Sequence, residues 1–163
     1  MIEPTPVRRV LAGAQVFDGY EMRGAADVAL EGSRVAEVGP PGSVDRDFST
    51  VVSLDGLVLA PGFIDIHGMD SSPSNIARKD GANLLLQGVT TIVIGHCGTG
   101  RPWHHESSGL PVNVVRLIGH NALRLLAAER FELEDPAALR WLSDNLKNEL
   151  DHGALGLSLG LMY

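Results

Sequence analysis

The sequence predicts an α/β chain: the N-terminal half of a β/α (TIM-like) barrel, residues 61–163, behind a small, incomplete β-domain of sandwich type, residues 1–60. Three observations carry this reading. Up to residue 60 the apolar residues follow strand and turn periodicities, with no helical spacing. From Gly62 onward four apolar, strand-like runs alternate with helix-like segments, the grammar of a parallel sheet covered by helices. Each of those runs ends in side chains suited to chemistry: His67; His96 and Cys97; His120 and Asn121; Ser158 and Tyr163. In a β/α barrel the strand tips and the loops that leave them form the site. A doubly wound sheet would instead call for a glycine-rich phosphate loop after its first strand. Here that loop reads H-G-M-D-S-S-P-S, with a single glycine and a proline.

In chain order, Val7–Phe17 is a β-rich run that ends at the Asp18-Gly19 turn. Ala26–Leu30 alternates, Val28 and Leu30 against Asp27 and Ala29, and Glu31-Gly32-Ser33 turns it into Arg34–Val38. Val51–Leu54 and Leu57–Leu59, around Asp55-Gly56, read as a second hairpin. The barrel then opens on the strand Phe63–His67 behind the Pro61-Gly62 turn. Ser74 is placed to cap a helix running to about Gln87, with Gly88 as a left-handed stop and Gly81 as a weak point inside it. Val89–Gly95 and Val112–Ile118 are the next strands, and a helix is expected over Leu123–Arg130. Asp135 caps a further helix with Pro136 in its first turn; Leu139, Leu142, Leu146 and Leu150 fall at helical spacing as its buried stripe. Gly153–Leu159 is the fourth strand.

Composition narrows the class of partner. Apolar content of 44% is that of a globular chain, and a formal net charge of −7 without a basic cluster argues against nucleic acid or an anionic membrane as partner. No run approaches the roughly 20 apolar residues of a membrane span, and the prolines at positions 4 and 6 interrupt any leader-like stretch. A cytoplasmic protein is therefore expected. The one cysteine, Cys97, leaves no internal disulfide; it is either a small buried apolar residue or a ligand or nucleophile.

The β-rich start with D-V-A-L-E-G-S-R-V-A-E-V-G (Asp27–Gly39), then P-G-F-I-D-I-H (Pro61–His67), resembles the entry to the amidohydrolase superfamily. Q-G-V-T-T-I-V-I-G-H-C-G (Gln87–Gly98), G-H-N-A-L-R (Gly119–Arg124) and G-A-L-G-L-S-L-G-L-M-Y (Gly153–Tyr163) narrow the resemblance to N-acyl-D-amino-acid deacylases, or D-aminoacylases. The resemblance covers nearly the whole chain in order. It implies metal-assisted hydrolysis of an amide C–N bond, with zinc polarising the carbonyl and acidifying a water and a carboxylate as general base. On the family pattern His67 is the first histidine of a His-x-His pair and Cys97 the thiolate ligand. Later ligands and the base belong to a part of the family fold that this chain does not contain, so the general base is expected outside it.

Two departures accompany the match. The family's second histidine is replaced in His67-Gly68-Met69, and thioether sulfur is a poor zinc ligand among hard donors. One zinc per completed site is therefore expected. Asp70 and His96 are further candidates for the metal or the site, although neighbouring side chains on a strand diverge, which counts against His96 and Cys97 acting together. His120, Arg124, Ser158 and Tyr163 are the candidate substrate-binding residues, Arg124 and Tyr163 as a fork and a phenol for a carboxylate. His104, His105, Glu106 and Trp103 form a candidate lid cluster. The second departure is extent: four β/α units leave open sheet edges, so a second polypeptide carrying the C-terminal half-barrel is expected as partner, in a heteromeric, split enzyme acting on a small-molecule amide. A non-catalytic scaffold or regulatory subunit, or an inactive fragment of the same fold, are the alternative readings.

Overall fold

The computed structural model describes residues 7–47, 49–68, 76, 81–102 and 109–162. The chain divides into two compact units, Met1–Pro61 and Gly62–Tyr163. In the first, β1 (Arg8–Phe17), β2 (Met22–Glu31) and β3 (Arg34–Gly39) form an antiparallel meander in the order β3-β2-β1. The β1–β2 turn is held by Asp18, whose carboxylate accepts from the amides of Tyr20 and Glu21 and from Arg23 Nε. Those bonds, the two amides first, hold the Asp18 carboxyl at a pKa of about 2.

The expected second hairpin is absent. β4 (Thr50–Ser53) and β5 (Val58–Leu59) instead both run parallel to β1, one after the other along the same edge. The cause lies in β1: its register shifts between Leu11 and Ala14, where Gly13 takes a φ of 79°. The Leu54–Leu57 turn packs against that bulge, and a Cβ at Gly13 would collide with the Asp55 carboxylate. Leu54 N–H donates to Ala12 O and Gln15 N–H to Leu57 O, so the edge passes from one short strand to the next.

Val10, Ala12, Ala29 and Val44 make the first unit's small core. Beside it Asp27, which alternation sets on the face opposite Val28, is fully buried. Its carboxylate accepts from Gly13 N–H, Gly42 N–H and Arg46 Nη2, at 2.9, 2.9 and 2.8 Å, and so ties the β1 bulge to the loop after β3. The Arg46 bond, then the Gly42 amide, draw its pKa below the usual carboxylate range, against the opposing effect of burial. A group whose pKa is depressed by folding stabilises the fold above its unfolded value near 4 and loses that contribution as pH falls through the folded value. Asp27→Asn is therefore expected to cost about 2 kcal/mol at neutral pH. The gap from wild type should shrink on acidification, as checked by denaturant melts at both ends of that range.

The second unit is a four-stranded parallel sheet in sequential order: β6 (Phe63–Asp65), β7 (Val89–Ile94), β8 (Asn113–Gly119) and β9 (Ala154–Ser158). Its core gathers Ile76, Leu84, Ile92, Ile94 and Val112. Of the first crossover helix, one turn is described, α1 (Ala82–Leu85), entered through Gly81 at φ 61° and left through Gly88 at φ 77°, the predicted stop. Ser74, the expected cap, lies outside the described residues. α2 (His120–Ala128) begins three residues earlier than expected, directly on the tip of β8. α3 (Pro136–Asp151) has the expected cap, Asp135 Oδ1 accepting from Ala137 N–H at 2.7 Å.

The buried face of α3 differs from the leucine stripe. Leu139 is 70% and Leu150 41% exposed, while Ala138 and Glu149 are the buried positions, with Leu142 and Leu146 half-buried between them. Hydrophobic spacing located the helix but not its rotation, because a buried carboxylate sets the latter. Glu149 faces Arg116 of β8 across 3.4 Å, and Arg116 also donates to His152 O at the end of α3. No helix among the described residues is long and apolar enough to cross a membrane.

Candidate metal centre

Three of the proposed site residues meet at the ends of β6 and β7. β6 is shorter than the sequence suggested, and His67 sits in the turn beyond it, its amide donating to Asp65 Oδ1 at 3.0 Å. His67 Nε2 lies 3.8 Å from Cys97 Sγ. The His67 and His96 rings stack, centroids 4.2 Å apart and planes 22° from parallel. Adjacent residues 96 and 97 thus both reach His67, contrary to the divergence expected of strand neighbours. They are not on the strand: β7 ends at Ile94, and Cys97 adopts φ 56°, the only non-glycine residue with positive φ among those described. That left-handed turn changes the direction of successive side chains.

The loop bearing Cys97 is fastened on three sides. Gly119 N–H, at the end of β8, donates to Gly100 O at 2.7 Å, and Ala122 N–H, in α2, donates to Gly98 O at 3.0 Å. From β9, Ser158 Oγ donates to Gly95 O at 2.5 Å and accepts from Gly98 N–H at 3.1 Å. Asn121 Nδ2 donates to Gly160 O at 2.9 Å. The approach is close enough that a Cβ at Gly119 would overlap the carbonyl of Gly98.

The other candidates fall around this loop. Ser158 is buried and its hydroxyl is engaged with backbone at both ends of the loop, so it does not present a free hydroxyl to a substrate. His120 is the first residue of α2, half-buried, with Nδ1 3.3 Å from Asn121 Oδ1. Arg124 is exposed, one turn along α2, on a cleft of about 330 Å³ shared with Asn121, Leu125 and Leu133. A larger cleft of about 940 Å³ runs beside it over Gly98, Arg101 and Asn121; neither is lined by His67 or Cys97. Asp70, Met69, Tyr163 and the lid cluster Trp103, His104, His105 and Glu106 lie outside the described residues. Asn121, which the sequence pointed to only as a strand-tip neighbour, is the side chain that joins α2 to the end of β9.

Imidazole and thiolate are donors that zinc accepts, and 3.8 Å is a separation at which both can reach one ion. His96 Nε2 is buried without a hydrogen-bond partner among the described residues, an orphaned donor or acceptor beside the pair. No group of three His, Cys, Asp or Glu side chains among the described residues is arranged to hold a metal ion. The residues fit a metal as a partial ligand set: two donors in place and more required from elsewhere.

No family model matches the chain. Curated relatives do. A D-aminoacylase from Alcaligenes xylosoxydans xylosoxydans is 30% identical over 97% of this chain, which spans 38% of that enzyme's length. Two solved structures share the fold over nearly the whole chain and 39% of their own. An N-acyl-D-glutamate deacylase from Bordetella bronchiseptica, complexed with zinc and a phosphonate mimic of the tetrahedral intermediate, superposes with a TM-score of 0.79 at 26% identity over 99% of this chain. A D-aminoacylase studied for its binuclear metal centre, with one-metal activation and second-metal attenuation, gives 0.79 at 26% over 98%. The chain belongs to the N-acyl-D-amino-acid deacylase family of the amidohydrolases and corresponds to the N-terminal portion of its members.

Proposed function

We propose that the chain forms the first four β/α units of a metal-dependent amidohydrolase barrel that cleaves the amide of an N-acyl-D-amino acid or a related compound. The observation that carries this reading is the meeting of His67 and Cys97 at adjacent strand ends, 3.8 Å apart, in a chain of this family. His67 and Cys97 hold one zinc from this side; a C-terminal half-barrel on a second polypeptide supplies the remaining ligands and the general base. When bound, zinc polarises the scissile carbonyl and acidifies a water.

This chain's own residues then have distinct tasks. The turn amide bond to Asp65 holds the His67 backbone, and the ring of His96 packs flat against its imidazole. Arg124, exposed on the neighbouring cleft, is suited to a substrate carboxylate through its guanidinium fork, with Tyr163, which follows the fourth strand in sequence, as a second donor. His96 is not assigned as a ligand of the zinc; its stacked ring is a lateral support for His67. With Met69 in the second family position, one zinc per site is expected.

The test is hydrolysis of N-acetyl-D-amino acids by the protein assembled from this chain and the C-terminal half, with and without zinc, against the L-enantiomers. Zinc-dependent release of acetate from the D series is the expected result. A zinc-loaded assembly that hydrolyses neither series contradicts the enzymatic reading and leaves the scaffold reading in its place.

A further inference from the structure

We infer that Ser158 is a positioning residue for the metal ligand Cys97, acting through the backbone of the loop that carries it; the inference rests on the metal-binding reading above. Residues 95–98 leave the tip of β7 and reverse direction with Cys97 in a left-handed conformation. A non-glycine residue in that region costs about 1–2 kcal/mol, so the loop needs bonds from outside to hold it there. Ser158 supplies two. Its hydroxyl donates to Gly95 O at 2.5 Å and accepts from Gly98 N–H at 3.1 Å, and so spans Cys97 on both sides. It is 8% exposed and 60 to 63 residues away in sequence from the groups it bonds, on the far edge strand of the sheet.

The geometry is specific to a short hydroxyl. One oxygen both donates and accepts, which neither alanine nor an amide-free apolar residue can reproduce. Gly119 and Ala122 hold Gly100 and Gly98, and Gly100 N–H donates to Gly95 O at 3.3 Å, but among the described residues only Ser158 engages Gly95 and Gly98 together. Loss of the hydroxyl leaves the Gly95 carbonyl and the Gly98 amide without that partner and frees the left-handed turn to relax, which carries Cys97 Sγ away from His67 Nε2. The role assigned is therefore to place the thiolate, not to contact a substrate.

The experiment is a cobalt(II) titration of the assembled protein, read by the thiolate-to-cobalt absorption that disappears in Cys97→Ala. Ser158→Ala should bind cobalt about 10–100-fold more weakly, the usual effect of losing a group that orients a ligand, with a diminished thiolate band. Ser158→Thr keeps the hydroxyl and should retain the wild-type midpoint within a few-fold. Ala138→Gly, a destabilising change at a buried position in the first turn of α3, should lower the melting temperature and leave the band unchanged. A Ser158→Ala protein with the wild-type midpoint and band overturns this inference alone. A wild-type protein with no thiolate band overturns the metal reading, and this inference with it.

Discussion

Replacing Cys97 by glycine is expected to abolish the proposed metal binding and hydrolysis, by more than about 100-fold, while leaving the metal-free protein at least as stable as metal-free wild type. The two effects have different origins. The thiolate is one of the two donors proposed for the zinc among the described residues, where no group of three His, Cys, Asp or Glu side chains is arranged to hold a metal ion. The backbone at residue 97, however, has φ 56°, which suits glycine and penalises every side chain. Relief of about 1–2 kcal/mol of left-handed strain is offset in part by the larger entropy of an unfolded glycine, about 0.5–1 kcal/mol. A net gain of up to about 1.5 kcal/mol in denaturant melts of the metal-free proteins, together with loss of zinc binding, would mark position 97 as strained for function. Cys97→Ser, which keeps the strain and removes the thiolate, should lose the metal without the gain in stability. A metal-free Cys97→Gly protein clearly less stable than metal-free wild type would mean that the thiol is a packing group.

The largest effect on the fold is expected at the edges of the parallel sheet. β6 and β9 are the outer strands of the described sheet, and apolar side chains in them and just beyond their ends are uncovered: Phe63, Ile64 and Ile66 at 62–73% exposure, Leu155, Leu157 and Leu159 at 42–72%. Apolar edges of this kind pair with whatever strand is available. The isolated chain should therefore self-associate, whereas mixing with a C-terminal half-barrel should give a discrete complex burying well over about 2,000 Å². Leu157→Lys should suppress both the self-association and the complex, since a charge on an edge strand disfavours pairing. Sedimentation velocity reads all three states. A monodisperse, cooperatively melting wild-type monomer would show that the edges need no partner.

What could be read from the sequence was the alternation. The strand positions apart from the end of β6, the Asp135 cap and the Gly88 stop follow from local chemistry and stand where the residues put them. Three features depended on contacts between distant residues and were not legible. The pairing of β4 and β5 with β1 follows from a bulge at Gly13, and a bulge has no local signal beyond one glycine. The rotation of α3 follows from Glu149 meeting Arg116 of β8, a charge that a hydrophobic pattern assigns to solvent. At the site, the residue types at the strand tips were legible and their arrangement was not. Strand geometry predicts that His96 and Cys97 diverge, and only the left-handed turn at Cys97 brings both to His67. Ser158 was picked out for its place at a strand tip, and its hydroxyl turns out to be engaged by the loop opposite.

The most direct test of the account is zinc-edge X-ray absorption on the assembled protein. A single zinc with one sulfur neighbour at about 2.3 Å and nitrogen or oxygen in the remaining positions is the predicted result, the sulfur shell being lost in Cys97→Ser. A zinc surrounded by nitrogen and oxygen alone in the wild-type protein, or a sulfur shell that persists in Cys97→Ser, would contradict it.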